Sequence, residues 1–174
     1  KIKATALEVI DATGDGQLDL FVSGLVKPDS LVSGLLVNKG GLFFKPGLTS
    51  ERMGLASTAD INLDGFFDVL IMGHDNSGAL QTELFQSAGG IYTIKSDPIK
   101  LKEPRPFAAD FNSDGIVDVN YRGKTATNDE VNIIQYGNQD YDTLDHGNLI
   151  GQYPGDAEHD GDLDLLQIVQ GNAL

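Results

Sequence analysis

The sequence contains no cysteine and no tryptophan, and only 12 of its 174 residues are lysine or arginine. The absence of cysteine excludes disulfide bonds and thiolate metal sites. No apolar run approaches the roughly 18 residues that a membrane-spanning helix needs, so we expect no membrane insertion. The formal net charge of −14 disfavours nucleic acids and anionic membrane surfaces as partners.

The length is enough for one domain with a sizeable core. No secretory signal is recognisable, and the sequence begins at Lys1 rather than at a methionine. We therefore expect a mature form or a fragment.

Four loops rich in acidic residues organise the chain, and they begin at Asp11, Asp60, Asp110 and Asp156. In each loop, oxygen-bearing side chains occupy positions 1, 3, 5 and 9, position 6 is Gly, and position 8 is apolar. Calcium takes six to eight oxygen ligands, and a glycine permits the positive φ of a tight turn around the ion. The carbonyl of position 7 is expected to be a further ligand, and the residue at position 8 is expected to anchor the loop to a core.

The pattern therefore predicts up to four bound Ca²⁺ ions, which would bring the net charge from −14 to about −6. An alternative interpretation is a set of Asp- and Gly-rich turns without metal, which four copies in one register disfavour. The predicted ligands at positions 1, 3, 5, 7 and 9 are Asp11, Thr13, Asp15, Gln17, Asp19, Asp60, Asn62, Asp64, Phe66, Asp68, Asp110, Asn112, Asp114, Ile116, Asp118, Asp156, Glu158, Asp160, Asp162 and Asp164.

These loops are not EF-hands. An EF-hand needs a bidentate Glu at position 12 and a helix on each side. Position 12 is Val22, Ile71, Tyr121 or Gln167, and a short apolar run that reads as a strand follows each loop.

The first loop residues are separated by 49, 50 and 46 positions, a period typical of solenoids, propellers and arrays. Each full unit divides into four short strands, predicted at 5–10, 18–23, 31–38, 42–45, 53–59, 67–72, 80–86, 91–94, 107–109, 117–122, 131–136 and 141–144, with two more at 149–155 and 163–169. Four antiparallel strands per unit predict an all-β fold of β-propeller blades.

The units span about 1–50, 51–100, 101–147 and 148–174, the last incomplete, and form one propeller segment. Phe43, Tyr92 and Tyr141 follow the last turn of each full unit and are expected to pack in the core. Because three and a half units do not close a ring, we expect the remaining blades of a propeller of about seven to come from the same or another chain.

The loops resemble the FG-GAP/VCBS-type repeat, the blade unit of integrin α-subunit propellers. The pattern Asp-x-Asp/Asn-x-Asp-Gly-x-x-Asp followed by an apolar strand recurs at the four loops, and the resemblance covers essentially the whole chain. Three features depart from the family: the neutral Thr13, the missing Gly pair in the third unit, and Val169 where the earlier units have glycine. Those earlier glycines are Gly24, Gly73 and Gly123.

The resemblance implies that the calcium loops share one face and that recognition uses the opposite face. That face would comprise the loops 24–30, 73–79 and 123–130 and the inter-blade segments 47–51 and 95–104. The candidate contact residues there are Lys27, Asp29, His74, Asp75, Asn76, Lys124 and Asn128.

We expect a calcium-stabilised interaction module that binds a protein or a glycan at or outside the cell surface. No nucleophile, phosphate-binding or dinucleotide motif appears, so an enzyme is not expected. Two alternatives remain: part of a propeller-type enzyme such as a polysaccharide lyase, marked by inward-facing Arg, Lys or His, and a purely structural spacer.

Overall fold

The computed structural model describes residues 3–27, 30–44, 49–88, 91–137, 140–144, 149–156 and 164–169. Within these ranges the chain is all-β and contains no helix. No helix in this part of the chain is therefore long and apolar enough to cross a membrane. The strands form three antiparallel sheets of four successive strands and one two-stranded sheet.

Each sheet is drawn from one continuous stretch of sequence, in the strand order of the chain. The first sheet contains β1 (Lys3–Ile10), β2 (Asp19–Lys27), β3 (Ser30–Lys39) and β4 (Leu42–Phe44), and β5 (Thr49–Ser50) pairs with β3. The second contains β6 (Arg52–Ala59), β7 (Asp68–Asp75), β8 (Leu80–Ala88) and β9 (Ile91–Ser96). The third contains β10 (Lys102–Ala109), β11 (Asp118–Lys124), β12 (Glu130–Tyr136) and β13 (Asp140–Thr143). The last pair is β14 (Leu149–Gly155) and β15 (Asp164–Val169).

The predicted all-β class and the four strands per unit are confirmed, but several strand bounds were wrong. The second strand of each full unit runs beyond the glycine that was expected to open a loop, because Gly24 and Gly73 are paired with the preceding strand and Gly123 is paired with the following one. β10 also begins before the predicted position 107, and the short β5 was not predicted. The connections between second and third strands are therefore shorter than expected.

Those three glycines mark a close approach of two backbones. A Cβ at Gly24, Gly73 or Gly123 would lie 2.2, 1.9 or 2.7 Å from a main-chain oxygen of the first strand of its sheet. Real side chains do not reach such distances, so only glycine fits without a backbone shift.

The sheets pack face to face through two apolar clusters, and β7 supplies both. Val69 and Ile71 face the first sheet, whereas Leu70 and Met72 face the third. Alternate residues of a strand point to opposite faces, so a central strand buried on both faces reads as a continuous apolar run. The first cluster consists of Ile10, Ala12, Phe21, Leu35, Val69, Ile71 and Phe85, and the second of Leu70, Met72, Leu101, Val119 and Tyr121.

The first strands of the three full sheets lie side by side, with β6 in contact with both β1 and β10. The Thr5 hydroxyl donates to the carbonyl of Gly54 at 3.4 Å, and the Ala108 amide donates to the Ser57 hydroxyl at 3.1 Å. Because nearly equivalent positions of the units are neighbours, the loops that follow these strands lie at one end of the stack. The described sheets do not close on themselves.

Candidate functional site

The first aspartate of each described loop holds the turn together. Asp60 accepts the amides of Asp64 and Gly65, at 3.0 and 2.8 Å. Asp110 does the same for Asp114 and Gly115, at 3.2 and 2.8 Å. In the first loop the equivalent acceptor is Asp11, whose partners are the amides of Gly14, Asp15 and Gly16.

In the second and third loops, the side chains at positions 3 and 5 contact each other. The Asn62 amide nitrogen donates to Asp64 at 3.0 Å, and Asn112 donates to Asp114 at 3.1 Å. The aspartate at position 5 accepts the amide of position 7 in all three loops, as in Asp64 with Phe66 at 2.9 Å. In the second and third loops, the side-chain oxygens at positions 1, 3 and 5 are thus brought within one turn of backbone.

Two positions of each of the first three loops have left-handed backbone. Position 6 is Gly16, Gly65 or Gly115, with φ of 81, 90 and 82° as the sequence predicts. Position 4 was not anticipated and also has positive φ, at Leu63 and Ser113 with 56 and 58°. Such a conformation costs an L-residue roughly 1 kcal/mol, so the hydrogen bonds of the loop must hold it.

The aspartate at position 9 connects the loop to the far hairpin of its sheet. Asp68 is fully buried and accepts the Ile61 amide at 3.0 Å and the Ser87 amide at 2.7 Å. Asp19 and Asp118 make the same two bonds, to the amide at position 2 and to the amide 19 residues onward. Burial raises the pKa of Asp68, although the Ser87 and Ile61 hydrogen bonds act in the opposite direction.

The expectation that position 8 anchors the loop was wrong. Leu18 is 58% exposed and Phe67 is 46% exposed. Position 8 precedes the buried aspartate, so its side chain lies on the other side of the strand. The apolar anchor is position 2 instead: Ala12 is fully buried, and Ile61 packs against the second cluster. The sequence carried this signal, because position 2 is apolar in every loop.

The aromatic residues after the last turns behave differently from one another. Tyr92 packs against the first cluster and donates its hydroxyl to the carbonyl of Phe67 at 2.6 Å, and burial raises the pKa of this tyrosine to about 12. Tyr141 is 52% exposed, so the expected core packing was wrong there. The side chain of Phe43 lies outside the described residues.

The candidate ligands have the chemistry that Ca²⁺ requires, since all are carboxylate, hydroxyl, amide or carbonyl oxygens. In the described ranges, no group of three or more His, Asp or Glu side chains is arranged to hold a metal ion. In the first loop, the Thr13 hydroxyl is buried and has no hydrogen-bond partner. Of the fourth loop, Glu158, Asp160 and Asp162 and the side chain of Asp164 lie outside the described residues.

Several candidate contact residues on the opposite end serve the fold. Four donors surround the Asp75 carboxylate, and the Ser77 hydroxyl chiefly holds its pKa well below the usual range. Asn76 connects to the first sheet through the Leu31 amide at 3.3 Å. Asn128 accepts from Lys102 at 2.8 Å. Asp29 and the side chain of Lys27 are outside the described residues.

An open cavity of about 360 Å³ lies at the end of the stack opposite the acidic loops. It is formed where the starts of β1, β6 and β10 meet the end of β7. Its floor includes the fully buried Met72 and the closely spaced Gly54 and Gly73. Leu55 and Pro104 add apolar surface to the walls.

Polar groups line the rim of this cavity: Thr5, His74, Glu103 and Arg105. Glu103 has a φ of 48° and lies in an irregular stretch of β10, where the pairing with β11 is interrupted between Lys102 and Arg105. Lys124 donates to Glu103 at 2.7 Å, and this bond holds the pKa of the carboxyl below its usual range. His74 and Lys124 were predicted contact residues. Thr5 was missed because it lies in the predicted strand 5–10, and Arg105 because it follows the predicted segment 95–104.

No family model matches this sequence, and no curated protein matches it. Among solved structures, the chain is similar to a fucose lectin from Kordia zhangzhouensis in complex with methyl-fucoside. The TM-score is 0.54 at 10% sequence identity, and the match covers 80% of this chain and 96% of the lectin chain. The likeness is one of fold.

Proposed function

We propose that this chain is a calcium-binding, carbohydrate-binding module built from β-propeller blades. The observation that carries the proposal is the fold shared with a fucose lectin across 80% of this chain. The open cavity opposite the acidic loops supports it, because a concave site with an apolar floor and a few polar groups suits a small ligand.

The calcium part rests on the loops. In the second and third loops, side-chain oxygens of positions 1 and 3 accept the same backbone amide, that of position 5. In the first loop, Thr13 keeps a buried hydroxyl without a partner. Asp, Asn and Thr side chains at these positions would hold the ion. Bound Ca²⁺ would offset the concentrated negative charge and fix the turn. Sites of this kind in extracellular modules have affinities of roughly 10⁻⁴–10⁻³ M, which suits a role outside the cell or at its surface.

The propeller part rests on the stacking of like units. Each sheet of four strands buries one face against the next, as blades do. The units 1–50, 51–100, 101–147 and 148–174 would then be blades of one segment, completed to about seven by residues of the same or another chain.

Catalysis is not part of the proposal, and a lectin neighbour supports binding alone. One observation favours the lyase alternative: Arg105 and His74 line the same cavity, and the alternative requires such groups facing inward. Incubation with pectic polymers separates the two functions. Only a lyase releases unsaturated uronides, which are detected by their absorbance.

A glycan array probed in millimolar Ca²⁺ and again in EGTA tests the proposal. We expect binding to a defined set of saccharides, weakened in EGTA, with no change in the saccharides themselves. Failure to bind any saccharide in calcium would overturn the carbohydrate-binding proposal, and release of unsaturated uronides would replace it with the lyase.

A further inference from the structure

Positive charge gathers beside the cavity of an otherwise acidic protein. Lys102, Arg105 and Lys124 are three of only 12 lysines and arginines in the chain. All three contribute to the lowered pKa of Glu103, with the hydrogen bond from Lys124 as the largest cause. The rim of the cavity is thus a local exception to the net charge of −14.

Two of these cations already have partners. Lys124 is bound to Glu103 at 2.7 Å and lies 3.9 Å from Glu130. Lys102 donates to the carbonyl of Ala126 and to Asn128, each at 2.8 Å. Their ammonium groups hold the strands and loops around the cavity in place.

Arg105 differs from both. Among the described residues, none forms a hydrogen bond or ion pair with its exposed guanidinium, although it lines the cavity. A guanidinium presents parallel N–H donors that match a carboxylate in a bidentate pair. A free arginine at the rim of a cavity therefore favours an anionic ligand with a planar acid group.

The remaining walls suit a sugar ring. Leu55 and Pro104 offer apolar surface to the C–H face of a pyranose, and a cavity of about 360 Å³ is at the small end of ligand sites. The Thr5 hydroxyl donates to main-chain oxygens and retains acceptor capacity for a sugar hydroxyl. The Glu103 carboxylate provides a second acceptor at the rim.

We infer that this cavity binds a carboxylate-bearing saccharide, such as a uronic acid residue, with the Arg105 guanidinium donating to the sugar carboxylate. The inference rests on the proposed carbohydrate-binding function and specifies its ligand class and its site. Thr5 and Glu103 accept hydrogen bonds from ring hydroxyls, and Leu55 and Pro104 cover the apolar face of the ring.

The test is calorimetry with matched oligosaccharides, oligogalacturonate and oligogalactose, which differ in the acid group. We expect Arg105→Gln to weaken oligogalacturonate binding roughly tenfold or more, since a charge-assisted pair is lost. Lys95→Gln on the outer strand β9 removes the same charge away from the cavity, and we expect less than about a twofold change. Melting temperatures of both variants report whether the fold is intact.

The outcomes separate this inference from the proposed function. Binding of oligogalactose but not of oligogalacturonate overturns the acidic ligand and keeps carbohydrate binding. Binding of oligogalacturonate with equal affinity by the Arg105→Gln variant overturns the site. If neither these sugars nor any array saccharide binds, the proposed function falls and this inference falls with it.

Discussion

The carboxylate of Asp68 accepts the backbone amide of Ser87 at 2.7 Å, although the two residues lie 19 positions apart. The other oxygen of Asp68 accepts the amide of Ile61, within the acidic loop. One buried side chain therefore fixes both the loop and the hairpin that leads to the last strand.

We predict that Asp68→Asn lowers the free energy of unfolding by about 2 kcal/mol, because the new amide group meets a backbone N–H that needs an acceptor. Asp64→Asn is the matched control, since Asp64 is exposed. In EGTA, urea unfolding should show a change below about 0.5 kcal/mol for that control. Equal effects of the two variants would contradict the bridging role of Asp68.

Calcium should bind in at least three of the four loops, with affinities of roughly 10⁻⁴–10⁻³ M. Titration of Ca²⁺ into protein that has been freed of calcium with a chelator should show a heat of binding. The melting temperature should rise in millimolar Ca²⁺, because an ion that binds only the folded state stabilises it. If no heat of binding is measured and the melting temperature is the same in EGTA and in Ca²⁺, the calcium prediction is wrong and the loops are turns without metal.

The loops should differ in affinity. The fourth has four carboxylates among its side-chain ligands, at Asp156, Glu158, Asp160 and Asp164, whereas the first has three and Thr13. Affinity rises with ligand charge, so Asp160→Ala should reduce total calcium affinity more than Asp15→Ala in a calcium titration. The longer Glu158 would reverse this order if it strains the coordination shell.

Gly73→Ala should destabilise the protein by about 2–3 kcal/mol, since its Cβ would lie 1.9 Å from the main-chain oxygen of Met53 and the strands would have to separate. Gly78→Ala is the control: φ is 81° and no atom lies within 4 Å of the new Cβ, so we expect a loss of about 1 kcal/mol. Chemical denaturation measures both. A larger loss at Gly78 would show that the backbones can separate easily.

One face of the first sheet should associate with another blade. Leu7 and Val9 are 55% and 54% exposed, whereas Ala56, one repeat after Leu7, packs against the first core cluster. Light scattering should therefore show association that Leu7→Gln with Val9→Gln reduces. Ile91→Gln, at a residue 73% exposed on β9, should change it little. A well-dispersed monomer that unfolds cooperatively would contradict the incomplete propeller.

The Glu103–Lys124 pair should give a defined pH dependence. The pKa of Glu103 is lowered from 4.5 and that of Lys124 is raised from 10.5, chiefly by their mutual hydrogen bond. The contribution of Glu103 to stability is therefore present above pH 4.5 and is lost as the pH falls through its lowered pKa. The contribution of Lys124 is lost as the pH rises through its raised pKa. A carboxyl NMR titration should show the pKa of Glu103 rising in the Lys124→Gln variant, and an unchanged value would contradict the pair.

Local features of the fold could be predicted from the sequence. The period of acidic loops gave the strand order, and the glycine at position 6 gave its positive φ. Hydropathy could not predict which residue at the end of a loop is buried. The position-9 aspartate, such as Asp19, is buried, whereas the apolar Leu18 beside it is exposed. The burial of this aspartate depends on two backbone amides that only the folded hairpin provides.

The cavity could not be predicted for a different reason. Its residues come from four strands, and Thr5, Gly73 and Arg105 are far apart in sequence. They meet because the sheets stack with their first strands side by side. A motif search detects spacing along the chain, whereas this site depends on spacing between sheets.

The two hydrogen bonds of each position-9 aspartate span 7 and 19 residues in all three described loops. The bonds that give a unit its shape are thus contained within that unit. Such a unit can be duplicated or deleted as a gene segment without losing the bonds that shape its neighbours, because a neighbour supplies an apolar face and a few hydrogen bonds such as that from Ala108 to Ser57. Lineages carrying this repeat are expected to differ in unit number more readily than in unit length, with insertions concentrated between units.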